Sequence, residues 1–438
     1  MDGEAVEPRP CLHVTPPSGW LNDPVGGLVH GGRQHLFFQY VPSSTRWRPD
    51  CHWGHLAGGD LVRWRHLPVA LAPGDGDDGV WSGSAVLDRQ GPVLLYTSVV
   101  DGSLDRGRVA LARPVDDDLV RWRKHAGNPV LEPPRDLDLA HFRDPYVWGS
   151  PGDWSMLVGA GLRGGRGAVL SYRSADLETW QFQGVLASGG KGDATLGEMW
   201  ECPQYVDLDG HRALVVSVWD GGRLTRVAAA RGAERDGTFE PAGWETLGYG
   251  GAAYALTTYR DRDGRLAATA WLRHEVATRP RSGWSGMLSL PLLLSAGADG
   301  GVHVAPHPDV DTLRQEPLDG AGDTVHLPAD EATGGVADLE VTLPAGARLR
   351  LETADRPVLV TAVADGLLVE SAGGRTAVPT AAHVLRVVVD RGAIEAWTGD
   401  GRWVALRIPF LRVRRAVVTG RGHLAAWRLE PVQAPEAT

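Results

Sequence analysis

Three acidic residues, each within two positions of a proline, are the side chains best suited to chemistry. They occur in Trp20-Leu-Asn-Asp-Pro24, Phe142-Arg-Asp-Pro145 and Trp200-Glu-Cys-Pro203, which contain Asp23, Asp144 and Glu201. Two carboxyl groups flanking a bond can act as nucleophile and proton donor, as in glycoside hydrolysis. The same segments also suit plain turns, because Asp bonds to nearby backbone and Pro fixes φ. A catalytic interpretation therefore requires a fold that brings the acids together.

An internal repeat predicts such a fold. The pattern Asp-Leu-x-x-Trp occurs at residues 60–64, 118–122 and 176–180, with a constant offset of 58 residues. A polar motif and two apolar strands precede each copy, and two further strand–turn–strand units follow. Propeller blades repeat roughly every 40 to 50 residues, so five units predict a five-bladed β-propeller over residues 10–300. Motifs at the starts of its innermost strands would converge at one end of the central channel.

The sequence changes character after these repeats. Residues 301–330 are polar and rich in Gly and Pro, which predicts a linker without strands. Short alternating strands with Asp-Gly turns return over residues 331–435 and predict an antiparallel β-sandwich. The chain is therefore expected to be all-β, with an N-terminal five-bladed β-propeller followed by a C-terminal β-sandwich.

Composition narrows the possible functions. The chain has 438 residues, 43% hydrophobic and 22% charged, as expected for an ordinary globular protein of two domains. A formal net charge of -10 argues against nucleic acid or an anionic membrane as partner. The three cysteines lack metal-binding spacing, the first residues lack the basic start and apolar run typical of a secretory signal, and the sequence has no apolar stretch of 18 residues. We therefore expect a cytoplasmic protein with a small-molecule partner and no metal; nothing indicates an oligomeric state.

The motifs, taken in order, resemble those of glycoside hydrolase family 32, the invertases, levanases and inulinases. Beyond the acidic segments, the resemblance rests on His13-Val-Thr-Pro-Pro-Ser-Gly-Trp20, Phe38-Gln-Tyr40, His52-Trp-Gly-His55, Trp81-Ser-Gly-Ser84, Tyr254, Trp271, Gly286-Met-Leu-Ser-Leu-Pro291 and Val387-Val-Val-Asp-Arg391 with Ile394-Glu-Ala-Trp397. Each motif alone is weak, but the ordered set covers nearly the whole chain. It implies retaining hydrolysis of terminal β-fructofuranosyl bonds in sucrose or fructans, without metal or organic cofactor.

The resemblance also implies roles for individual residues. Asp23 would attack the anomeric carbon to form a fructosyl-enzyme, Glu201 would be the acid/base, and Asp144 would hold fructose hydroxyls. The positions that match the fructose pocket are Asn22, Gln39, Trp47, Trp81, Ser82, Arg143, Tyr254 and Trp271. Since a nucleophile must be ionised, we expect a low pKa for Asp23, helped by donors such as Asn22 and Tyr254.

Four departures from the family pattern lie near the pocket rim in family terms and leave the leaving group open. They are Val25-Gly26-Gly27 in place of Asn-Gly, Val41-Pro42 in place of Asn-Pro, Trp81 where Phe is frequent, and Leu272-Arg-His274 without a second Trp.

Three other functions stay open on the sequence. A fructosyltransferase, such as a levan fructotransferase that forms cyclic difructose, shares the chemistry and differs in its acceptor. An inactive carbohydrate-binding propeller shares the fold, although all three acids are retained here. A five-bladed hydrolase of arabinans would fit the repeat, but not the Trp20-Leu-Asn-Asp-Pro24 motif or the C-terminal strands.

Overall fold

The computed structural model describes residues 7–190, 196–274, 282–321, 323–329 and 334–432. These residues form 35 β-strands and one short 3₁₀ helix, so the all-β prediction is confirmed. The predicted boundaries at residues 330, 331 and 435 lie outside the described residues. Within the described ranges, no helix is long and apolar enough to cross a membrane.

Five sheets, I to V, whose successive strands are antiparallel, follow one another along the first part of the chain. Sheet I contains β1 (Gly19–His30), β2 (Arg33–Val41), β3 (His52–Gly58) and β4 (Trp64–Leu71). Sheet II contains β5 (Gly79–Asp88), β6 (Gly91–Val99), β7 (Arg108–Pro114) and β8 (Trp122–Lys124). Sheet III contains β9 (Leu139–Ser150), β10 (Asp153–Leu162), β11 (Arg166–Ser174) and β12 (Gln181–Ser188).

Sheets IV and V continue the series. Sheet IV contains β13 (Met199–Leu208), β14 (His211–Asp220), β15 (Arg223–Arg235), β16 (Thr238–Pro241) and β17 (Glu245–Leu247). Sheet V begins with β18 (Ala253–Arg260) and β19 (Leu266–Leu272); β20 (Trp284–Ser285) then pairs parallel with β1 in sheet I. Sheet V is completed by β21 (Leu292–Ala296) and β22 (Val302–Pro306).

The first strands of the five sheets adjoin one another in a cyclic order. β1 packs next to β5, β5 next to β9, β9 next to β13, β13 next to β18, and β18 next to β1. Each sheet is then extended outward by antiparallel neighbours in sequence order. The starts of the five first strands therefore face a common space.

The repeated Asp-Leu-x-x-Trp segments are turns that lead into the outermost strands of sheets I to III. In each, the Trp indole N–H donates to the Leu carbonyl three residues earlier, at 2.8–2.9 Å, in the pairs Trp64–Leu61, Trp122–Leu119 and Trp180–Leu177. All three leucines are buried. The repeat therefore has a structural role, and the chemistry belongs to the polar motifs upstream of it.

Two further sheets form the C-terminal part of the chain. Their strands are β23 (Arg314–Pro317), β24 (Gly320–Ala321), β25 (Thr324–His326), β26 (Ala337–Thr342), β27 (Arg348–Glu352), β28 (Val358–Val363), β29 (Gly366–Ser371), β30 (Gly374–Pro379), β31 (Val384–Asp390), β32 (Ala393–Thr398), β33 (Trp403–Arg407), β34 (Arg415–Thr419) and β35 (His423–Leu429). Sheet VI has the order β23-β35-β26-β31-β32-β33, and sheet VII the order β24-β25-β34-β27-β28-β29-β30. One apolar cluster contains residues of both sheets, so they share a core.

The expectation of a strand-free linker over residues 301–330 is wrong. β22 pairs with β21 as the outermost strand of sheet V, a 3₁₀ helix spans Pro308–Leu313, and β23, β24 and β25 join the C-terminal sheets. Val302 and Val304 are buried in the core beneath sheet V. β22 has only these two inward-facing residues and is flanked by Gly and Pro. It is therefore too short for an alternation of apolar and polar residues to be recognised in the sequence.

Gly286 allows a close approach between two segments beside the first acidic motif. Its φ is +88°, and a Cβ there would lie 1.8 Å from the carbonyl oxygen of Leu21. Only glycine adopts this conformation without a clash. The segment after β20 can therefore lie directly against β1, one residue before Asn22.

A fully buried histidine joins the N-terminal segment to sheet VI. His13 places Nδ1 2.9 Å from Oδ2 of Asp390 and Nε2 2.9 Å from Oε1 of Glu395. With a carboxylate at each ring nitrogen, both nitrogens must donate, so the ring is an imidazolium. Burial opposes this charge, but the bonds to Asp390 and Glu395 outweigh it and raise the pKa of His13 to about 9.

We expect His13→Gln to lower the unfolding free energy by about 3 kcal/mol near pH 6, because it leaves two buried carboxylates without their cation. Because the pKa of His13 is higher in the folded than in the unfolded protein, its protonation stabilises the fold. This contribution is complete below the unfolded-state pKa of about 6.5 and is lost as the pH rises through about 9. Melting temperatures at pH 6 and pH 9.5 should therefore differ more for the parent protein than for the variant. His423→Gln, at an exposed histidine, is the matched control. An equal pH dependence of the melting temperature in all three proteins would contradict a stabilising role of the His13 imidazolium.

Candidate active site

Each of the five first strands is interrupted by a β-bulge or a register shift at its polar motif. The irregularities fall between Leu21 and Pro24, Trp81 and Gly83, Arg143 and Tyr146, Glu201 and Gln204, and Tyr254 and Thr257. Bulges bend a strand and redirect its side chains. Residues at or beside all five irregularities line the common space. The three acids occupy neighbouring, not identical, positions of the bulge.

The redirected side chains surround a cavity of about 510 Å³. Its lining includes the three acids and seven of the other residues predicted from the sequence, namely Asn22, Gln39, Trp47, Trp81, Arg143, Tyr254 and Trp271. Ser82 is absent from the lining and lies buried behind Asp23, whose Oδ2 accepts its hydroxyl proton at 2.6 Å. The fold thus gathers the predicted residues from sheets I to V at one place.

Asp23 is held by donors from three sheets. Its Oδ1 accepts from the Asn22 amide at 3.0 Å, and its Oδ2 accepts from the Gln39 amide at 3.2 Å as well as from Ser82. The Cys202 thiol lies 3.7 Å from the same Oδ2. These contacts fix the orientation of the carboxylate toward the cavity.

The expected low pKa of Asp23 is wrong. Burial raises the pKa of Asp23 to about 6, and the charge of Glu201 adds to this, while the bonds from Ser82 and Asn22 oppose it. Tyr254 does not supply the expected help, because its hydroxyl donates to Glu201. The Asp23 carboxyl is therefore mostly ionised only above about pH 6.

Glu201 is clamped between a guanidinium and a phenol. Its Oε1 accepts from Nε and Nη2 of Arg143 at 3.1 and 2.8 Å, and its Oε2 accepts from the Tyr254 hydroxyl at 2.6 Å. Burial and the neighbouring Glu201 raise the pKa of Tyr254, so the phenol stays protonated. Because a hydroxyl can donate or accept, this contact suits both the ionised and the protonated forms of Glu201.

Asp144 sits in a strained backbone position between the other two acids. Its φ is +65°, and its N–H donates to the Thr97 hydroxyl at 2.8 Å. Its Oδ2 accepts from the backbone N–H of Cys202 at 3.0 Å. Burial raises the pKa of Asp144; Arg143 opposes the shift, and the nearby acids add to it. Left-handed geometry at a non-glycine residue is found where surrounding contacts enforce it, often at functional sites.

Aromatic rings form two walls of the cavity. Trp47 and Trp81 meet edge to face with ring centroids 5.6 Å apart, and Trp20 and Trp271 meet in the same way at 5.6 Å. Trp47 is 45% exposed, whereas Trp81 is buried and donates its indole N–H to the Pro49 carbonyl. Such walls offer apolar faces to a sugar ring while the acids and amides address its hydroxyls.

Sequence reasoning did not assign several further lining residues to the cavity. They are Trp20, Leu104, Asp105, His141, Trp219, Gly222 and Leu224. Trp20 belongs to the first acidic motif and His141 directly precedes the second, and these positions were the only indication in the sequence. Trp219, Gly222 and Leu224 belong to the hairpin that β14 and β15 form, and Leu104 and Asp105 to the connection between β6 and β7. The described residues contain no group of three or more His, Cys, Asp or Glu side chains that could hold a metal ion.

Comparison with known proteins identifies the family. Residues 13–308 match the model of the "Glycosyl hydrolases family 32 N-terminal domain". The chain belongs to glycoside hydrolase family 32. This family 32 chain is 33% identical over 338 residues to a sucrose-6-phosphate hydrolase of Escherichia coli, and 36% identical over 326 residues to a raffinose invertase of the same organism. Both alignments cover 70% of this chain and 66% of the relative, just under two thirds of the relative's length.

A solved family 32 structure shares the fold along nearly the whole chain. The Bombyx mori GH32 beta-fructofuranosidase superimposes with a TM-score of 0.86 at 27% sequence identity, over 97% of this chain and 94% of that one. A variant of the Bombyx mori protein has been solved in complex with sucrose. The membership in family 32 inferred from the motifs is therefore confirmed.

Proposed function

We propose that this protein hydrolyses terminal β-fructofuranosyl bonds of sucrose or fructans with retention of configuration. The observation that carries the proposal is the convergence of Asp23, Asp144 and Glu201 in one cavity with aromatic walls. The names of the family 32 relatives and the sucrose complex of the Bombyx mori variant support a small carbohydrate as substrate.

Asp23 is the proposed nucleophile. It attacks the anomeric carbon of fructose and forms a covalent fructosyl-enzyme. Its hydrogen bonds from Asn22, Gln39 and Ser82 hold the attacking carboxylate in one orientation. Because its pKa is about 6, the attacking form predominates near neutral pH.

Glu201 is the proposed acid/base. It gives its proton to the departing oxygen in the first step, then removes a proton from water, which attacks the fructosyl-enzyme in the second. Arg143 and Tyr254 hold both of its oxygens, so the group stays in place as its charge changes. Asp144 is proposed to bind fructose hydroxyls and to stabilise the positive charge of the oxocarbenium-like transition state.

The finer architecture is part of the same proposal. We infer that sheets I to V are the blades of a five-bladed β-propeller and that sheets VI and VII form a β-sandwich. The cyclic order of contacts among the first strands and the core common to sheets VI and VII support this. In this arrangement the division between the domains falls after β22, later than the residue 300 predicted from the sequence.

Product analysis tests the proposed function. Incubation with sucrose, raffinose, inulin and levan should release fructose, and with added methanol the first product should be methyl β-fructofuranoside, detected by NMR. The α-anomer would contradict the retaining mechanism. Difructose or longer fructans would identify a transferase, and binding of sucrose without turnover would identify a carbohydrate-binding protein.

A further inference from the structure

Three residues form a separate wall of the cavity on the side of Glu201. His141 lies on β9 two residues before Arg143, whose guanidinium binds Glu201. Trp219 is the last residue but one of β14, which pairs with the strand of Glu201. The backbone of Asp105 is anchored beside them, because its carbonyl accepts from the N–H of Phe142 at 3.1 Å. We call Asp105, His141 and Trp219 the leaving-group wall, because the proposed acid must face the sugar that departs.

The imidazole of this wall is suited to an uncharged ligand. His141 packs edge to face on Trp219 with ring centroids 5.1 Å apart. Burial lowers the pKa of His141 and the charge of Arg143 lowers it further, against the opposing effect of Asp105, Glu198 and Glu201, so the neutral ring is favoured. A neutral imidazole has one donor and one acceptor, the combination that a sugar hydroxyl requires. Its buried Nδ1 has no hydrogen-bond partner among the described residues and lies 3.6 Å from Oδ1 of Asp105.

Acidic side chains outnumber basic ones in the lining of the cavity. Among the described lining residues, the carboxylates are Asp23, Asp105, Asp144 and Glu201, and the one arginine is Arg143. That arginine is already bound to Glu201. The Asp105 side chain lines the cavity and is 82% exposed, which places it at the rim. A phosphate on the departing sugar would bring negative charge close to the Asp105 carboxylate.

We propose that the leaving-group wall receives the departing sugar and selects an uncharged one over a phosphorylated one. This rests on the proposed function and adds a charge preference to it, with Asp105 as the residue that sets the preference. Fructose would be held on the opposite side of the cavity, by Asn22 and Gln39 around Asp23. The position of Asp105 makes it a specificity residue, and no proton transfer is assigned to it.

The test compares sucrose with sucrose 6-phosphate at pH 7. The parent protein should show a kcat/KM for sucrose at least about tenfold higher. In Asp105→Asn the kcat/KM for sucrose 6-phosphate divided by that for sucrose should rise about fivefold, and in Asp105→Lys this ratio should rise further. Added salt should narrow the preference of the parent protein, because exposed charges are screened. Asp117→Asn, an exposed change of the same charge outside the cavity, should leave the ratio unaltered.

Two results would overturn this inference while leaving the proposed function intact. They are a preference of the parent protein for sucrose 6-phosphate, and an unaltered ratio in both Asp105 variants. Release of fructose from neither substrate would instead remove the proposed function. In that case the inference is decided by calorimetric titration of the parent protein and of Asp105→Lys with both sugars. Tighter binding of sucrose than of sucrose 6-phosphate by the parent protein, with a smaller difference in Asp105→Lys, supports the inference. Equal or reversed affinities of the parent protein overturn it.

Discussion

Asp23→Asn is expected to lower kcat on sucrose by about 10⁴-fold or more, because an amide cannot form the covalent fructosyl-enzyme. The change keeps the size of the side chain, and Asn22, Gln39 and Ser82 still surround it. Folding should therefore be preserved, as judged by the melting temperature and circular dichroism. Removing a buried carboxyl whose pKa is raised relieves an unfavourable ionisation, so the variant should be at least as stable at pH 7.

The control for this variant is Asp153→Asn. Asp153 is exposed at the start of β10, pairs with Arg173 and lies outside the cavity. It should retain parent activity, measured with protein from a host that does not hydrolyse sucrose. Residual activity of Asp23→Asn above about 1% of the parent would mean that another group is the nucleophile.

Glu201→Gln is expected to reduce kcat on sucrose by about 10² to 10⁴-fold, the usual contribution of a positioned acid/base. The loss should be much smaller for the first step with an aryl fructoside, because a phenolate leaves without protonation. Added azide should restore turnover and give fructosyl azide, since an anionic nucleophile needs no general base. The amide keeps a contact with Tyr254, which leaves the fold intact.

Glu198→Gln provides the matched control for the acid/base. Glu198 lies three residues earlier, accepts from the N–H of Gly221 and is not part of the lining. It should show near-parent kinetics and no azide effect. Equal losses on sucrose and on the aryl fructoside in Glu201→Gln, without azide rescue, would remove Glu201 from the acid/base role.

The sequence predicted the cavity residues best where they lie within a recognisable local motif. Asp23, Asp144 and Glu201 each lie one or two residues before a proline, and the repeat placed these motifs in the first strands of successive units. Motif order therefore predicted which residues meet. The bulges that aim them were not predicted, because a positive φ at Asp144, Cys202 or Ala255 depends on contacts across the fold.

Residues outside the motifs needed the three-dimensional structure. Asp105 enters the cavity from the connection between β6 and β7, and Trp219 enters it from the end of β14. Neither residue lies in a distinctive sequence pattern. The pKa of Asp23 depends on burial and on its distance from Glu201, neither of which can be read from neighbours in sequence. A short strand such as β22 gains its stability from its partner β21, so its own residues did not reveal it.

The buried contact of His13 also constrains the order in which the chain acquires its structure during synthesis. His13 and Glu395 are 382 residues apart, and Cys11 and Leu12 donate their backbone N–H groups to Asp390. A ribosome releases the N-terminal segment long before sheet VI exists. Residues 11–13 therefore lack these partners in sheet VI until almost the whole chain has emerged. Their docking is a late event in the maturation of a nascent chain, and a ribosome-stalled product ending before residue 390 lacks it.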